Sequence, residues 1–238
     1  NLSFWRLGWR TLWRDLRSGD LRLVMVAVVL AVAALTAVGF FADRLKGGLQ
    51  RDARQLLGGD AVVSSAQPTP QIVLDKARSL GLVVNSTLGF PTMARAAEAQ
   101  GGATKLVALK AVEEGYPLRG SLLVSAAPDA AERPTRDVPS PGQAWVDAPL
   151  LESLGLKLGD SLLLGESTLK ITSVIVVEPD RGAGFMNFAP RVMVHQADVA
   201  ATKLIQPASR INYRMAVPGA NPAVKGLVDW ADSQVKAG

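Results

Sequence analysis

Leu23–Phe41 reads LVMVAVVLAVAALTAVGFF, without a charged side chain from end to end. As a helix its roughly 19 residues rise about 28 Å, close to the hydrocarbon thickness of a bilayer. The stretch is therefore predicted to be a transmembrane helix, and every other segment is placed with respect to a membrane. A secretory signal peptide is the main competitor and fits poorly. The apolar run exceeds the usual ~7–15 residues, and the best cleavage position, after Ala42, has bulky Phe40 three residues upstream.

Working outward toward the N-terminus, Trp5, Trp9, Trp13 and Leu16 recur at helical spacing beside a stripe of Arg6, Arg10, Arg14 and Arg17. Residues 1–20 are read as an amphipathic helix, lying in the headgroup layer or packed on protein; the apolar span that follows favours the interface. Up to Arg22 five arginines face Asp15 and Asp20, so +3 of the chain's net +5 lies in this arm. Such charge beside an apolar span suits anionic membrane lipids, and the dilute remainder leaves no nucleic-acid footprint. Arg44, Lys46, Arg51 and Arg54 follow the span, so charge alone orients it only weakly, N-terminus inside.

Within the span Ala27, Ala31 and Ala34 form a small-residue face suited to close approach by another membrane helix, unless alanine is merely common there. Helical character continues from Asp43 to Leu57 as a stalk, stopped by Gly58 and Gly59. Beyond it, Asp60–Ser65 reads as a strand, Gln71–Leu80 as a helix introduced by Pro68 and Pro70, and Leu82–Ser86 as extended chain. Runs starting at Phe90 and Lys105 form a hairpin around Gly101-Gly102. Residues 126–143, rich in Pro and charge, read as a loop or lobe boundary. Trp145–Leu156 reads as a short helix, the runs at Lys157–Gly165, Thr168–Glu178, Arg191–Val194 and Arg210–Val217 as strands, and a last helix begins near Pro222. The class is α+β, with a split βαβ lobe over 58–125 and 205–238 interrupted by a small β lobe over 126–204, after a membrane helix and stalk over 21–57.

Little in the chain points to catalysis. Cysteine is absent, which removes disulfides and thiolate metal sites and fits an extracytoplasmic domain. His195 is the only histidine and lies near no nucleophile motif; no phosphate loop, HExxH or EF-hand pattern occurs. The expectation is a non-catalytic protein without a cofactor of its own. The unusual piece is the loop Glu178–Pro190, which carries Glu178, Asp180, Arg181, Met186 and Phe188. These five are the candidate contacts for a periplasmic partner or cargo; the apolar side chains either touch a lipid or partner protein or tuck under the loop as a minor core.

Seven segments carry a resemblance: Gly59–Ser65 (GDAVVSS), Phe90–Ala94 (FPTMA), Lys110–Leu122 (KAVEEGYPLRGSL), Leu156–Gly165 (LKLGDSLLLG), Glu178–Asp180 (EPD), Ala189–Val194 (APRVMV) and Gln206–Arg214 (QPASRINYR). In order and spacing the chain resembles the N-terminal portion of MacB/FtsX-type permeases of ABC systems, most closely the large YbbP-type permeases associated with a periplasmic lysophospholipase or thioesterase. The resemblance implies a bacterial inner-membrane location with the bulk of the chain in the periplasm. It also implies a cytoplasmic ATPase partner that binds ATP and Mg, further membrane helices of the same permease, and hydrophobic or lipid-like cargo. A single-pass scaffold that recruits a periplasmic enzyme is the alternative.

Overall fold

The computed structural model describes residues 4, 8–11, 13–14, 20–57, 59–181, 188–207, 209–218 and 221–237. It separates into two compact units, residues 1–52 and 53–238.

In the first unit, residues 8–11, 13 and 14 are helical. The long helix α1 covers Asp20–Leu57, 38 residues that run from the apolar stretch through the expected stalk. Twelve large apolar side chains between Leu23 and Phe41 are exposed, Leu35 at 74% and Leu23 at 72%. Leaving them in water forgoes on the order of 20–30 kcal/mol of burial, whereas a bilayer solvates them. The polar Thr36 hydroxyl donates to the Val32 carbonyl at 2.6 Å, so no hydroxyl proton is left unpaired in the span. Arg22–Lys46 is long and apolar enough to cross a membrane.

The second unit is a mixed sheet with short helices, in the α+β class expected. Its strands are β1 (Ala61–Ser65), β2 (Asn85–Ala96), β3 (Thr104–Val112), β4 (Leu122–Ser125), β5 (Glu132–Thr135), β6 (Gln143–Asp147), β7 (Ser161–Leu164), β8 (Ser167–Val177), β9 (Arg191–His195) and β10 (Asn212–Val217). The helices are α2 (Gln71–Ser79), α3 (Ala148–Leu154), α4 (Val199–Thr202) and α5 (Asn221–Ala237). Strand order runs β1-β10-β2-β3-β9-β6-β8-β4-β5, and β7 pairs with both β2 and β8. These pairings close a ring, β2-β3-β9-β6-β8-β7, in which each of the six strands has a partner on both sides over at least part of its length.

Period-two alternation fills that ring. Val107, Leu109 and Ala111 of β3, Val192 and Val194 of β9, Ala144 and Val146 of β6, and Leu162 and Leu164 of β7 belong to one buried cluster, with Leu150, Leu151 and Leu154 of α3 packed into it. Two smaller clusters lie elsewhere. One joins Val112, Tyr116, Leu122, Trp145 and Met193; the other places Ala77 of α2 and Val224 and Leu227 of α5 against Met215 and Val217 of β10.

Two expectations are corrected. Trp145–Asp147 extend β6 instead of starting a helix, because Ala144 and Val146 face the ring core while Trp145 faces the opposite cluster. The expected loop contains β5, a terminal strand that tolerates Pro134 because it pairs only with β4. The ring draws β2 and β3 from one expected lobe and β6–β9 from the other, and the β4–β5 hairpin spans residue 126, so one sheet joins both lobes.

Candidate functional site

The site grows from β2. Residues Asn85–Gly89 pair with β10 and Ala94–Ala96 with β7, leaving Phe90–Met93 unpaired on that side. Pro91, with no N–H to donate, falls in this gap, its β3 neighbour being Ala108. Above the gap lies a cavity of about 410 Å³. By alternation Gly89, Pro91 and Ala108 present their small or apolar side to it, and the register sets Lys110 opposite Gly89 and Arg191 opposite Ala108.

Lys110 is a cation in an apolar strand, only 6% exposed, so it must be paired to be tolerated. Its Nζ donates to Glu178 Oε1 at 2.7 Å, Asp180 Oδ1 at 2.8 Å and Tyr116 Oη at 2.8 Å, which uses all three ammonium protons. Arg191 Nε donates to Glu178 Oε2 at 2.7 Å, and Arg214 donates to Asp180 Oδ2 at 3.1 Å. The Tyr116 hydroxyl donates to Asp180 Oδ1. Arg181, next along, pairs with Asp147 at 3.1 Å. Asp180 thus ties β3 to β10, the two strands that flank β2.

The cluster also sets protonation. Burial raises the Tyr116 hydroxyl pKa well above its ordinary value, and the adjacent Glu178 and Asp180 charges add to the rise. At Asp180 burial pushes upward, but Lys110, the Tyr116 hydroxyl and Arg214 outweigh it, so the carboxyl pKa lies below its ordinary value. The geometry therefore holds a neutral phenol beside an ionised Asp180, an arrangement suited to binding and rigidity. His195 is separate: its Nδ1 accepts from Ala197 N–H at 3.1 Å, and its Nε2 lies 3.3 Å from Glu114 Oε1. The Glu114 carboxyl is lowered, first by its own backbone N–H and then by His195.

Glu178 and Asp180, expected at an exposed contact, instead turn inward, because Lys110, Arg191 and Arg214 give both carboxylates buried partners. Arg181 is half-buried against Asp147, while Phe188 stands 87% exposed. Trp9, Arg10, Trp13 and Arg14 are exposed on helical residues, as are Ala27, Ala31 and Ala34 on α1. Trp5, Arg6, Arg17 and Met186 lie outside the described residues. Sequence reasoning missed Lys110, Tyr116, Arg191, Arg210 and Arg214 as site residues. The available signal was a lone lysine inside the apolar run LVALKAV, together with an arginine heading the strand RVMV.

No profile of a known protein family matches the chain. The chain is 34% identical over 227 residues, 95% of its length, to the uncharacterized ABC transporter permease YbbP of Escherichia coli strain K12. It spans 27% of that relative's length. Among solved structures, the periplasmic region of MacB from Actinobacillus actinomycetemcomitans aligns with a TM-score of 0.46 and 11% identity, covering 76% of this chain and 86% of that one. The extracellular domain of the noncanonic ABC-type transporter YknZ from Gram-positive bacteria aligns with a TM-score of 0.44 and 12% identity, covering 70% of this chain and 88% of that one. Along nearly its whole length, the chain is homologous to an ABC transporter permease.

Proposed function

We propose that this chain is the N-terminal part of the permease subunit of an ATP-binding cassette transporter. In this reading α1 spans a bacterial inner membrane and the sheet unit works in the periplasm. ATP and Mg are bound by a cytoplasmic ATPase, and nucleotide-driven movement of the membrane helices reaches the sheet unit to act on hydrophobic or lipid-like cargo. The observation that carries the reading is the 34% identity to a permease sustained over 95% of the chain. The exposed apolar surface of α1 supports it, as do Ala27, Ala31 and Ala34, which offer a face for the permease's other membrane helices. Affinity purification of the full-length protein from native membranes tests the partner. A cytoplasmic ABC ATPase recovered in stoichiometric amount is expected, and its absence from gently solubilised preparations would sink the reading.

A second reading is a single-pass scaffold that recruits a periplasmic enzyme such as a lysophospholipase or thioesterase. It is favoured by Phe188, whose ring is 87% exposed. Substituting Phe188→Ser should cut recovery of such an enzyme in a pull-down, and unchanged recovery would remove the support.

A further inference from the structure

The cavity over β2 combines features that the permease reading does not use. Five cations line it: Lys110, Arg181, Arg191, Arg210 and Arg214 on its walls face only Asp180 among the lining carboxylates. Counting Glu178 and Asp147, which pair with Lys110, Arg191 and Arg181 from behind, three carboxylates stand against five cations. With Tyr116 neutral, the site carries a net charge of about +2 whatever the pairing. Both oxygens of Asp180 are engaged, Oδ1 by Lys110 and Tyr116 and Oδ2 by Arg214, so its repulsion toward an incoming anion is largely offset.

Arg210 differs from the others. It is exposed at the cavity wall and makes no ion pair among the described residues. An arginine fork of this kind matches the geometry of a phosphate or carboxylate. The floor of Gly89, Pro91 and Ala108 carries no charge and no side chain larger than a proline ring. A volume of about 410 Å³ falls within the ordinary range for small-molecule sites.

We propose that this cavity binds the phosphate or carboxylate group of a ligand, gripped by Arg210 and oriented by the fixed arginines, with the first carbons of any attached chain on the uncharged floor. Two sources share this chemistry, the head of an acidic amphiphile and a free anion. Use of the site for cargo rests on the permease reading, whereas binding itself does not, and the two fail in different experiments.

The test is calorimetric titration of the 238-residue chain in nanodiscs of neutral phosphatidylcholine, with empty nanodiscs as blank. The probes are hexyl phosphate, inorganic phosphate and hexanol. Hexyl phosphate should bind saturably and hexanol should not. The Arg210→Glu variant should weaken hexyl phosphate by roughly tenfold or more, while Lys157→Glu, the same charge change at an exposed turn, should leave it within about twofold. Tighter binding of hexyl phosphate than of inorganic phosphate identifies an amphiphile head, and equal binding identifies a free anion; either supports the anion site. Absence of saturable binding above the blank, or an equal effect of both variants, overturns it.

Discussion

Lys110 and Asp180, 70 residues apart in the chain, meet at 2.8 Å between Nζ and Oδ1 in a site where neither side chain is more than 8% exposed. The contact fixes the segment after β8 onto β3, and through Arg214 onto β10. The sheet around the cavity is therefore held by buried charge as well as by apolar packing.

Removing the cation should cost more than an average core substitution. Lys110→Met keeps much of the apolar stem but leaves Glu178 and Asp180 short of a buried partner. A loss of about 3–5 kcal/mol is expected. Urea unfolding followed by near-ultraviolet circular dichroism reads it, and a loss below about 1 kcal/mol would show that the cluster is not a structural tie.

The pH dependence of stability has two limbs. Asp180 has a folded pKa below its unfolded value, so its contribution is present above about pH 4 and disappears as the pH falls further. Tyr116 has a folded pKa above its unfolded value, so its contribution is present below about pH 10 and disappears as the pH rises beyond it. Asp180→Asn should flatten the acid limb and Tyr116→Phe the alkaline one. Exchange of those assignments, or limbs untouched by either variant, would refute the protonation scheme.

Gly120 adopts φ +79°, and a Cβ there would meet Pro179 Cγ at 3.3 Å, directly between Glu178 and Asp180 in sequence. Gly142 has a similar φ of +82° but open space around it. Gly142→Ala should cost only the left-handed backbone term of about 1–2 kcal/mol. Gly120→Ala should cost distinctly more, because Pro179 must also move. Equal losses would mean that the close approach has no energetic weight.

The parts of this fold legible in the sequence are those set by local rules. The apolar run of α1 is one, and the glycine turn at Gly101 and Gly102, which adopt φ of +97° and +60°, is another. The ring was not legible, because its closure depends on β7, already the hairpin partner of β8, pairing also with β2, which is distant in sequence. Trp145-Val146-Asp147 is too short for alternation to outweigh the helical run that follows it, and β5 is polar with a proline. Glu178 and Asp180 looked exposed because their partners, Lys110, Arg191 and Arg214, come from β3, β9 and β10. Lys110 itself was readable in principle, since both faces of β3 are occupied by buried clusters and a lysine there needs a counter-charge.

The membrane span is testable by one charge. Leu30→Arg places a guanidinium near the middle of Leu23–Phe41 and should raise the insertion cost by roughly 3 kcal/mol. The fraction of chain resisting alkaline carbonate extraction should fall. Full retention would argue against a bilayer-spanning α1.

Nucleotide binding by the proposed ATPase partner should move this part of the proposed permease. The chain has no cysteine, so Arg44→Cys on α1 and Glu166→Cys at the β7–β8 turn give unique spin-label positions within it. With the full-length permease and its ATPase in lipid, double electron–electron resonance measures the distance between the labels with and without ATP. A shift in the distance distribution is expected on ATP binding and should be absent in an ATPase variant unable to bind nucleotide. Superimposable distributions in all states would contradict it.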